Sequence, residues 1–222
     1  MKSRAAWCGR SAKLMLISCQ SLHVSKTSSI WPTIFKSARN SVDDTVKAGV
    51  EKPAVMIHIE NGGNVTVQDL WFSTPTSSGI VTLADWDVFG FSFYPLYGRN
   101  ATFANLADIL ETLAAKYGKP MQVVETQYPV FCSGENTSAA LSKPSLPISV
   151  EGQSKWIHGI IEILKQTPNR LGNGVHYWEP TWLGRTIEGL SNCTDVTLFE
   201  ADWSQSPEST GYSRKSINMY NY

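Results

Sequence analysis

Buried β-strands alternate with amphipathic helices along most of this chain, and that alternation limits the folds it can adopt. Four short runs are apolar enough to be strands covered on both faces: residues 54–60, 88–94, 121–125 and 174–178. Helical periodicity separates them and is clearest in residues 102–117. Strands joined through helices form parallel βαβ units, so the sequence predicts an α/β fold.

Further helices are predicted over residues 31–46, near 67–72 and over 152–165, and an irregular tail follows the last strand. A (β/α)8 barrel of the TIM type has this pattern, and an open doubly wound sheet is the general alternative. The open sheet would usually carry a glycine-rich phosphate loop after its first strand, to which Asn61-Gly62-Gly63 is a weak match.

The first 29 residues lack this pattern. Four basic residues and a short apolar run, Leu14 to Ser18, make a poor signal peptide. We expect residues 1–29 to be an unassigned or disordered extension, and residues 30–222 to be one domain.

Charge balance argues against polyanionic partners. Lys plus Arg and Asp plus Glu both number 19, so no basic field attracts nucleic acid or an anionic membrane. Eight Trp, eight Tyr and eight Phe are available, many of them near predicted strand ends and loops. Such rings can stack on the apolar face of a sugar, although each of them can equally be a core residue. A neutral polysaccharide is the partner that this composition favours.

Glycosylation sequons and cysteines indicate the cellular compartment of the protein. Asn-X-Ser/Thr occurs at Asn64, Asn100, Asn136 and Asn192, which favours an extracellular glycoprotein. The four cysteines have no C-x-x-C spacing and no neighbouring His cluster, and no loop has calcium-like spacing. We therefore expect neither a metal nor a cofactor.

Three of the predicted strands end in a carboxylate, namely Glu60, Glu125 and Glu179. Catalytic groups of (β/α)8 barrels lie at the carboxyl ends of the strands. Retaining glycoside hydrolysis uses two carboxyl groups about 5 to 5.5 Å apart, one as nucleophile and one as proton donor. Each of these glutamates could instead cap a loop or form a salt bridge.

Short sequence motifs around these positions resemble those of a known family. In chain order they are Met-Ile-His-Ile-Glu-Asn-Gly (56–62), Gly-Phe-Ser-Phe-Tyr-Pro-Leu-Tyr (90–97), Val-Val-Glu-Thr-Gln-Tyr-Pro (123–129), Tyr-Trp-Glu-Pro-Thr-Trp (177–182) and Cys-Thr-Asp (193–195). Together they resemble glycoside hydrolase family 53, the arabinogalactan endo-β-1,4-galactanases. The resemblance covers about residues 31–200.

The resemblance implies that the chain holds the second half of a (β/α)8 barrel, from helix four to strand eight. Glu125 maps onto the family's nucleophile, and Tyr94 onto a residue that hydrogen-bonds it. Trp178 would form the floor beneath the sugar, and His58 and Trp182 would contact substrate. By the same resemblance, Glu179 would have a structural role and would not act in catalysis. Fungal members pair the cysteines that match Cys132 and Cys193, so the resemblance implies a disulfide there.

Two departures from the family pattern affect the catalytic site. The family has Leu-Asp-Asn-Gly-Trp after strand five, where this chain has Ile-Glu-Asn-Gly-Gly (59–63). The family's acid/base Glu lies at the end of strand four, yet residues 1–30 contain no Glu. No residue therefore maps onto the proton donor, and the sequence leaves open whether Glu60 substitutes for it.

The resemblance thus implies endo-acting hydrolysis of β-1,4-galactan by a retaining mechanism, impaired by the missing acid. A non-catalytic galactan-binding protein that uses Tyr94, Trp178 and Trp182 is the alternative, and an inert truncated fragment is a third expectation. A half barrel has open sheet edges, so self-association through them is expected. No apolar run has the roughly 18 residues that a membrane span needs, and we expect secretion.

Overall fold

The computed structural model describes residues 14–19, 30–60, 62–96, 100–132, 141, 146–181, 193, 195–202, 204 and 210–221. In chain order its elements are β1 (Leu14–Cys19), α1 (Ile30–Lys47), β2 (Ala54–Ile59), α2 (Val65–Ser77), β3 (Val88–Ser92), α3 (Phe103–Tyr117), β4 (Met121–Thr126), α4 (Val150–Gln166), β5 (Gly172–Tyr177), β6 (Phe199–Asp202) and β7 (Thr210–Ser213). Short 3₁₀ turns cover Leu83–Asp85, Pro168–Arg170 and Lys215–Asn218.

The first five strands form one parallel sheet in the order β1-β2-β3-β4-β5, which is also their order along the chain. A helix connects each strand to the next. This is the arrangement of consecutive β/α units of a (β/α)8 barrel, and it confirms the predicted α/β class.

One strand was not predicted. Residues 1–29 were expected to lie outside the regular fold, but Leu14–Cys19 forms β1 and pairs in parallel with β2. This six-residue segment, apolar except for Ser18, carries no period that identifies a strand, so only pairing with a neighbour assigns it. The resemblance implies that β2 is barrel strand five, and by the same numbering β1 is strand four.

The tail is also more regular than its sequence indicates. Strands β6 and β7 form a two-stranded antiparallel sheet, and the 3₁₀ turn after them packs against α4. Every residue of β7 is exposed, which explains why no hydrophobic period marks this strand.

The helices begin and end where their capping residues predict. Asn64, Thr102 and Ser149 are the N-caps of α2, α3 and α4, and each side chain accepts a hydrogen bond from a backbone N–H in the first turn. Gly118 ends α3 with φ of 61°, a left-handed conformation that glycine adopts without strain.

The hydrophobic core lies between the helices and one face of the sheet. Val55, Ile57 and Ile59 of β2 join it, and Phe89 and Phe91 of β3 do the same. The residues that alternate with them, such as Met56 and His58, are also buried. Burial on both faces explains why these strands read as nearly continuous apolar runs.

Trp156 of α4 links this core to the end of β4. Its ring stacks on Phe93 and Phe103 at centroid distances of 5.4 and 5.1 Å, and its Nε1–H donates to Thr126 Oγ1 at 2.8 Å. Helix α4 is thereby joined to the strand that carries Glu125.

The described residues show neither a membrane-spanning helix nor a cluster of metal-binding side chains. They contain no helix that is both long and apolar enough to cross a membrane. No group of three or more His, Cys, Asp or Glu side chains in that part of the chain is arranged to hold a metal ion.

Candidate active site

Glu125 lies near the carboxyl end of β4, and its side chain is only 12% exposed. One of its oxygens, Oε2, accepts two hydrogen bonds, from Ser92 Oγ at 3.0 Å and from Tyr94 OH at 3.2 Å. Two donors on one oxygen fix the plane of the carboxylate. The structure thus brings together Glu125 and Tyr94, which the sequence analysis had paired.

A register shift places Glu125 beside Ser92. Phe91 of β3 pairs with Val123 of β4, but the next residue, Ser92, pairs with Glu125. Val124 is therefore an extra residue in β4. A bulge of this kind turns the following side chain toward a different face, and it is common beside active sites.

The backbone around Glu125 is bonded to both neighbouring strand ends. Phe93 N–H donates to the carbonyl of Glu125 at 2.8 Å, and Thr126 Oγ1 donates back to the Phe93 carbonyl at 2.6 Å. On the other side Trp178 N–H donates to the Thr126 carbonyl at 2.9 Å. The main chain that carries Glu125 is thus held on both sides.

His58 of β2 reaches the same carboxylate. Its Nε2 lies 2.8 Å from Ser92 Oγ, and its Nδ1 lies 3.8 Å from Glu125 Oε1. Burial lowers the pKa of His58, and the negative charges of Glu125 and Glu60 oppose this effect without reversing it. The ring is therefore neutral at neutral pH.

Trp178 follows β5 directly, and 42% of it is exposed. Its carbonyl accepts a hydrogen bond from Gln127 Nε2 at 3.0 Å, so both its N–H and its C=O are bonded to the segment after Glu125. The next residue, Glu179, has φ of 44°, which is uncommon for a residue other than glycine. Trp182 lies outside the described residues.

Glu60 is the first residue after β2 and is exposed. Its carbonyl accepts a hydrogen bond from the buried Gln68 side chain at 2.8 Å. Its negative charge opposes the lowering of the His58 pKa.

No acidic residue of the sequence lies at the end of β1, where the resemblance places the family's proton donor. In the β1–β2 register Ser18 pairs with His58 and Cys19 with Ile59, so β1 ends beside the end of β2. The first acidic residue of the sequence is Asp43, which lies in α1.

Gly63, which replaces the family's tryptophan, is enclosed by main chain. A Cβ at this position would collide with the carbonyl group of Asn100. Asn105 Nδ2 also donates to the Gly63 carbonyl at 3.3 Å and to the Asn100 carbonyl at 2.7 Å. The backbone of residues 100 and 101 therefore lies against this residue and leaves no room for a stacking ring.

Cys132 and Cys193 form the disulfide that the resemblance implied. It joins the segment after β4 to the segment before β6, which also meet at an isolated bridge between Phe131 and Asp195. Asp195 in turn forms a two-bond salt bridge with Arg214 at 2.7 and 2.8 Å.

We expect Cys132→Ser to lower the free energy of unfolding by about 2–4 kcal/mol, because the crosslink closes a loop of 61 residues. Urea unfolding of wild type, Cys132→Ser and Cys132→Ser/Cys193→Ser measures the change. The two variants should be equally destabilised, and wild-type stability in both would contradict the crosslink.

Parallel β/α units with a strand-end carboxylate and a neighbouring exposed indole ring are typical of the (β/α)8-barrel glycoside hydrolases. More specifically, the chain belongs to glycosyl hydrolase family 53, whose sequence profile matches residues 20–213.

Individual relatives agree with this assignment. The chain is 35% identical over 188 residues to a probable arabinogalactan endo-β-1,4-galactanase A of Aspergillus fumigatus, covering 84% of this chain and 49% of that protein. It is 35% identical over 148 residues to an arabinogalactan endo-β-1,4-galactanase of Thermothelomyces thermophilus, covering 67% of this chain and 44% of that protein. The chain thus spans about half the length of these relatives.

Solved structures confirm the fold. A structure from a study of two fungal β-1,4-galactanases superposes with a TM-score of 0.70 at 30% identity, over 86% of this chain and 55% of that chain. The family 53 catalytic domain of Ignisphaera aggregans superposes with a TM-score of 0.67 at 20% identity, over 92% of this chain and 57% of that one. The fold is therefore a partial (β/α)8 barrel.

One polar residue of the site, Ser92, was not predicted from the sequence. Ser92 contacts both His58 and Glu125, yet it was quoted only as part of a motif. Its signal was the predicted strand over residues 88–94, in which residues 92 and 94 would point to the same face.

Proposed function

We propose that this chain carries the nucleophile side of a retaining endo-β-1,4-galactanase site, with Glu125 as the nucleophile. The observation that supports this proposal is the low exposure of the Glu125 carboxylate together with the two hydroxyl donors on Oε2. The galactanase names of the relatives supply the substrate class, β-1,4-galactan in arabinogalactan.

In the first step a Glu125 oxygen attacks the anomeric carbon, and the bond from that carbon to the leaving oxygen breaks. In the second step water displaces Glu125, and the product keeps its original configuration. A sugar leaving group needs a proton as it departs, and such general acid catalysis contributes about 10² to 10⁴-fold. We therefore propose that this chain is impaired on galactan.

Three further residues are proposed to contact the sugar. Trp178 offers an exposed ring as the floor of the subsite, held by the hydrogen bonds to its own backbone. Tyr94 and His58 line the carboxylate side. Trp182 remains a proposed contact from the family resemblance.

The experiment that tests the function compares two leaving groups. We expect wild-type protein to release dinitrophenolate from a 2,4-dinitrophenyl β-galactobioside, because this leaving group departs without a proton. Added azide should trap the galactobiosyl-enzyme as the β-galactobiosyl azide. Release of sugar from β-1,4-galactan should be slower by about 10² to 10⁴-fold. An α-configured product, or no release at all, would contradict a retaining nucleophile.

The same comparison tests Glu60 as a substitute acid. If Glu60 supplies the proton, Glu60→Gln lowers turnover of galactan and leaves release of dinitrophenolate unchanged. Equal effects on the two substrates would exclude that role.

A galactan-binding protein without turnover is the second candidate, and the exposed ring of Trp178 favours it. Binding without release of dinitrophenolate would select it over the first.

In either case Trp178→Ala should weaken binding to soluble β-1,4-galactan about tenfold, since stacking a sugar on the ring buries apolar area. Affinity electrophoresis measures this binding as the retardation of the protein in a gel that contains galactan. Tyr212→Ala is the matched control, because Tyr212 is 59% exposed but lies on β7. Equal retardation of wild type and the Trp178 variant would contradict the proposal that the Trp178 ring stacks on the sugar.

Self-association of the chain is proposed from its open sheet edges, and secretion from its sequons and disulfide. Within the described part of the chain, β1 and β5 each pair on one side only, so their outer edges can pair with another chain. A monomer at all concentrations in analytical ultracentrifugation would exclude self-association. The sequons and the disulfide support an oxidising, extracellular compartment.

A further inference from the structure

We propose that His58 and Ser92 form a hydrogen-bond relay that positions Glu125, in which His58 Nε2–H donates to Ser92 Oγ and Ser92 donates to Glu125 Oε2. The relay crosses three adjacent strands, β2, β3 and β4. It deepens the proposed function and rests on it, because its effect on reaction requires that Glu125 be the nucleophile.

The chemistry of the three groups sets the direction of the relay. An ionised carboxylate only accepts hydrogen bonds, so at the 3.0 Å contact Ser92 must be the donor. A serine hydroxyl has one proton, and that proton is now used. At the 2.8 Å contact Ser92 Oγ must therefore accept, and Nε2 of His58 must carry a proton.

This assignment leaves Nδ1 of the neutral ring without a proton. Nδ1 is buried and makes no hydrogen bond within the described part of the chain, and it lies 3.8 Å from Glu125 Oε1. The histidine thus places no donor on Oε1, while Ser92 and Tyr94 both donate to Oε2. The geometry assigns Oε1 as the attacking atom, because its electron pairs are not drawn toward the relay.

The surroundings keep the ring in this state. Burial holds the pKa of His58 below its usual value, against the opposing charges of Glu125 on β4 and Glu60 after β2. Protonation would place a second N–H on Nδ1, facing Oε1, and would make that oxygen a weaker nucleophile.

The first test measures the nucleophile alone. The reagent 2,4-dinitrophenyl 2-deoxy-2-fluoro-β-galactoside labels a retaining nucleophile without needing an acid, and intact mass spectrometry follows the rate. We expect Ser92→Ala to label about 10- to 100-fold more slowly, because a hydrogen bond to a charged group is lost. His58→Asn should also label slowly, whereas His58→Gln, whose amide nitrogen can reach the place of Nε2, should stay within about threefold of wild type.

His176→Gln is the matched control, since His176 is exposed on β5 and should label at the wild-type rate. Thermal unfolding identifies any variant that fails to fold. Wild-type labelling rates in folded Ser92→Ala, or equal losses in His58→Gln and His58→Asn, would overturn the relay.

A second measurement does not depend on catalysis. Long-range ¹H–¹⁵N spectra report which ring nitrogen of His58 carries the proton. We expect the Nε2–H tautomer in wild type and a shift toward Nδ1–H in Ser92→Ala, where Nε2 loses its acceptor. If this result holds but wild type is never labelled, the relay stands and the proposed function fails. An Nδ1–H tautomer in wild type, or an unchanged tautomer in Ser92→Ala, overturns the relay.

Discussion

Glu125→Gln is expected to lower the release of dinitrophenolate from a 2,4-dinitrophenyl β-galactobioside by more than about 10⁴-fold. Removing a nucleophile eliminates the covalent step, and comparable losses are known for other nucleophilic enzymes. The amide has nearly the same shape as the carboxylate, so Ser92 and Tyr94 can still donate to its oxygen. The loss should therefore reflect chemistry and not folding.

The matched control is Glu111→Gln, which makes the same change at an exposed position of α3. It should keep wild-type activity and wild-type thermal stability. A folded Glu125→Gln protein that retains more than about a tenth of wild-type release would exclude Glu125 as the nucleophile.

Trp156→Ala is expected to lower the free energy of unfolding by about 3–5 kcal/mol, the usual cost of removing a large buried aromatic ring. Trp156 is fully buried and stacks on Phe93 and Phe103. Its loss also leaves Thr126 Oγ1 without the indole donor. The midpoint of thermal unfolding should fall by roughly 10 °C for a chain of this length.

Trp156→Phe separates the two contributions. It keeps an aromatic ring between Phe93 and Phe103 but removes the N–H, so it should cost about 1–2 kcal/mol. Urea unfolding of both variants measures the difference. A Trp156→Ala protein within about 1 kcal/mol of wild type would contradict the view that α4 and β4 are joined through this ring.

The sequence predicted the β/α units well because their signals are local. Strands β2 and β3 are buried on both faces and therefore read as apolar runs, and α3 has an N-cap and a C-terminal glycine. Observed bounds differ from the predicted ones by a few residues. For example, Tyr94 lies two residues beyond the end of β3 instead of ending it.

The features that could not be predicted from the sequence depend on pairing between residues that are far apart in the chain. Strand β1 is defined by its register with β2, and the bulge that brings Glu125 to Ser92 arises between two strands. Buried polar contacts are similarly non-local. Gln153 of α4 donates to carbonyls of Tyr128 and Val196 and accepts from Ser216, and no spacing along the chain indicates this network.

For the site, the identities of the residues could be predicted from the sequence, but their geometry could not. The family motifs identified four of its residues, namely Glu125, Tyr94, His58 and Trp178. The distances between them follow only from the strand register and the bulge, and the lowered pKa of His58 follows from its burial. Gly63 shows the converse, since the lost tryptophan was visible in the sequence but its physical reason, the main chain of Asn100, was not.

The central claim is that Glu125 forms the covalent intermediate, and peptide mapping of the labelled protein tests it most directly. Wild-type chain is incubated with 2,4-dinitrophenyl 2-deoxy-2-fluoro-β-galactoside, digested and sequenced by tandem mass spectrometry. We predict one fluorogalactosyl ester per chain, on Glu125 in the segment Val-Val-Glu-Thr-Gln (123–127). An ester on Glu60 or Glu179, or release of dinitrophenolate with no covalent adduct, would contradict the claim.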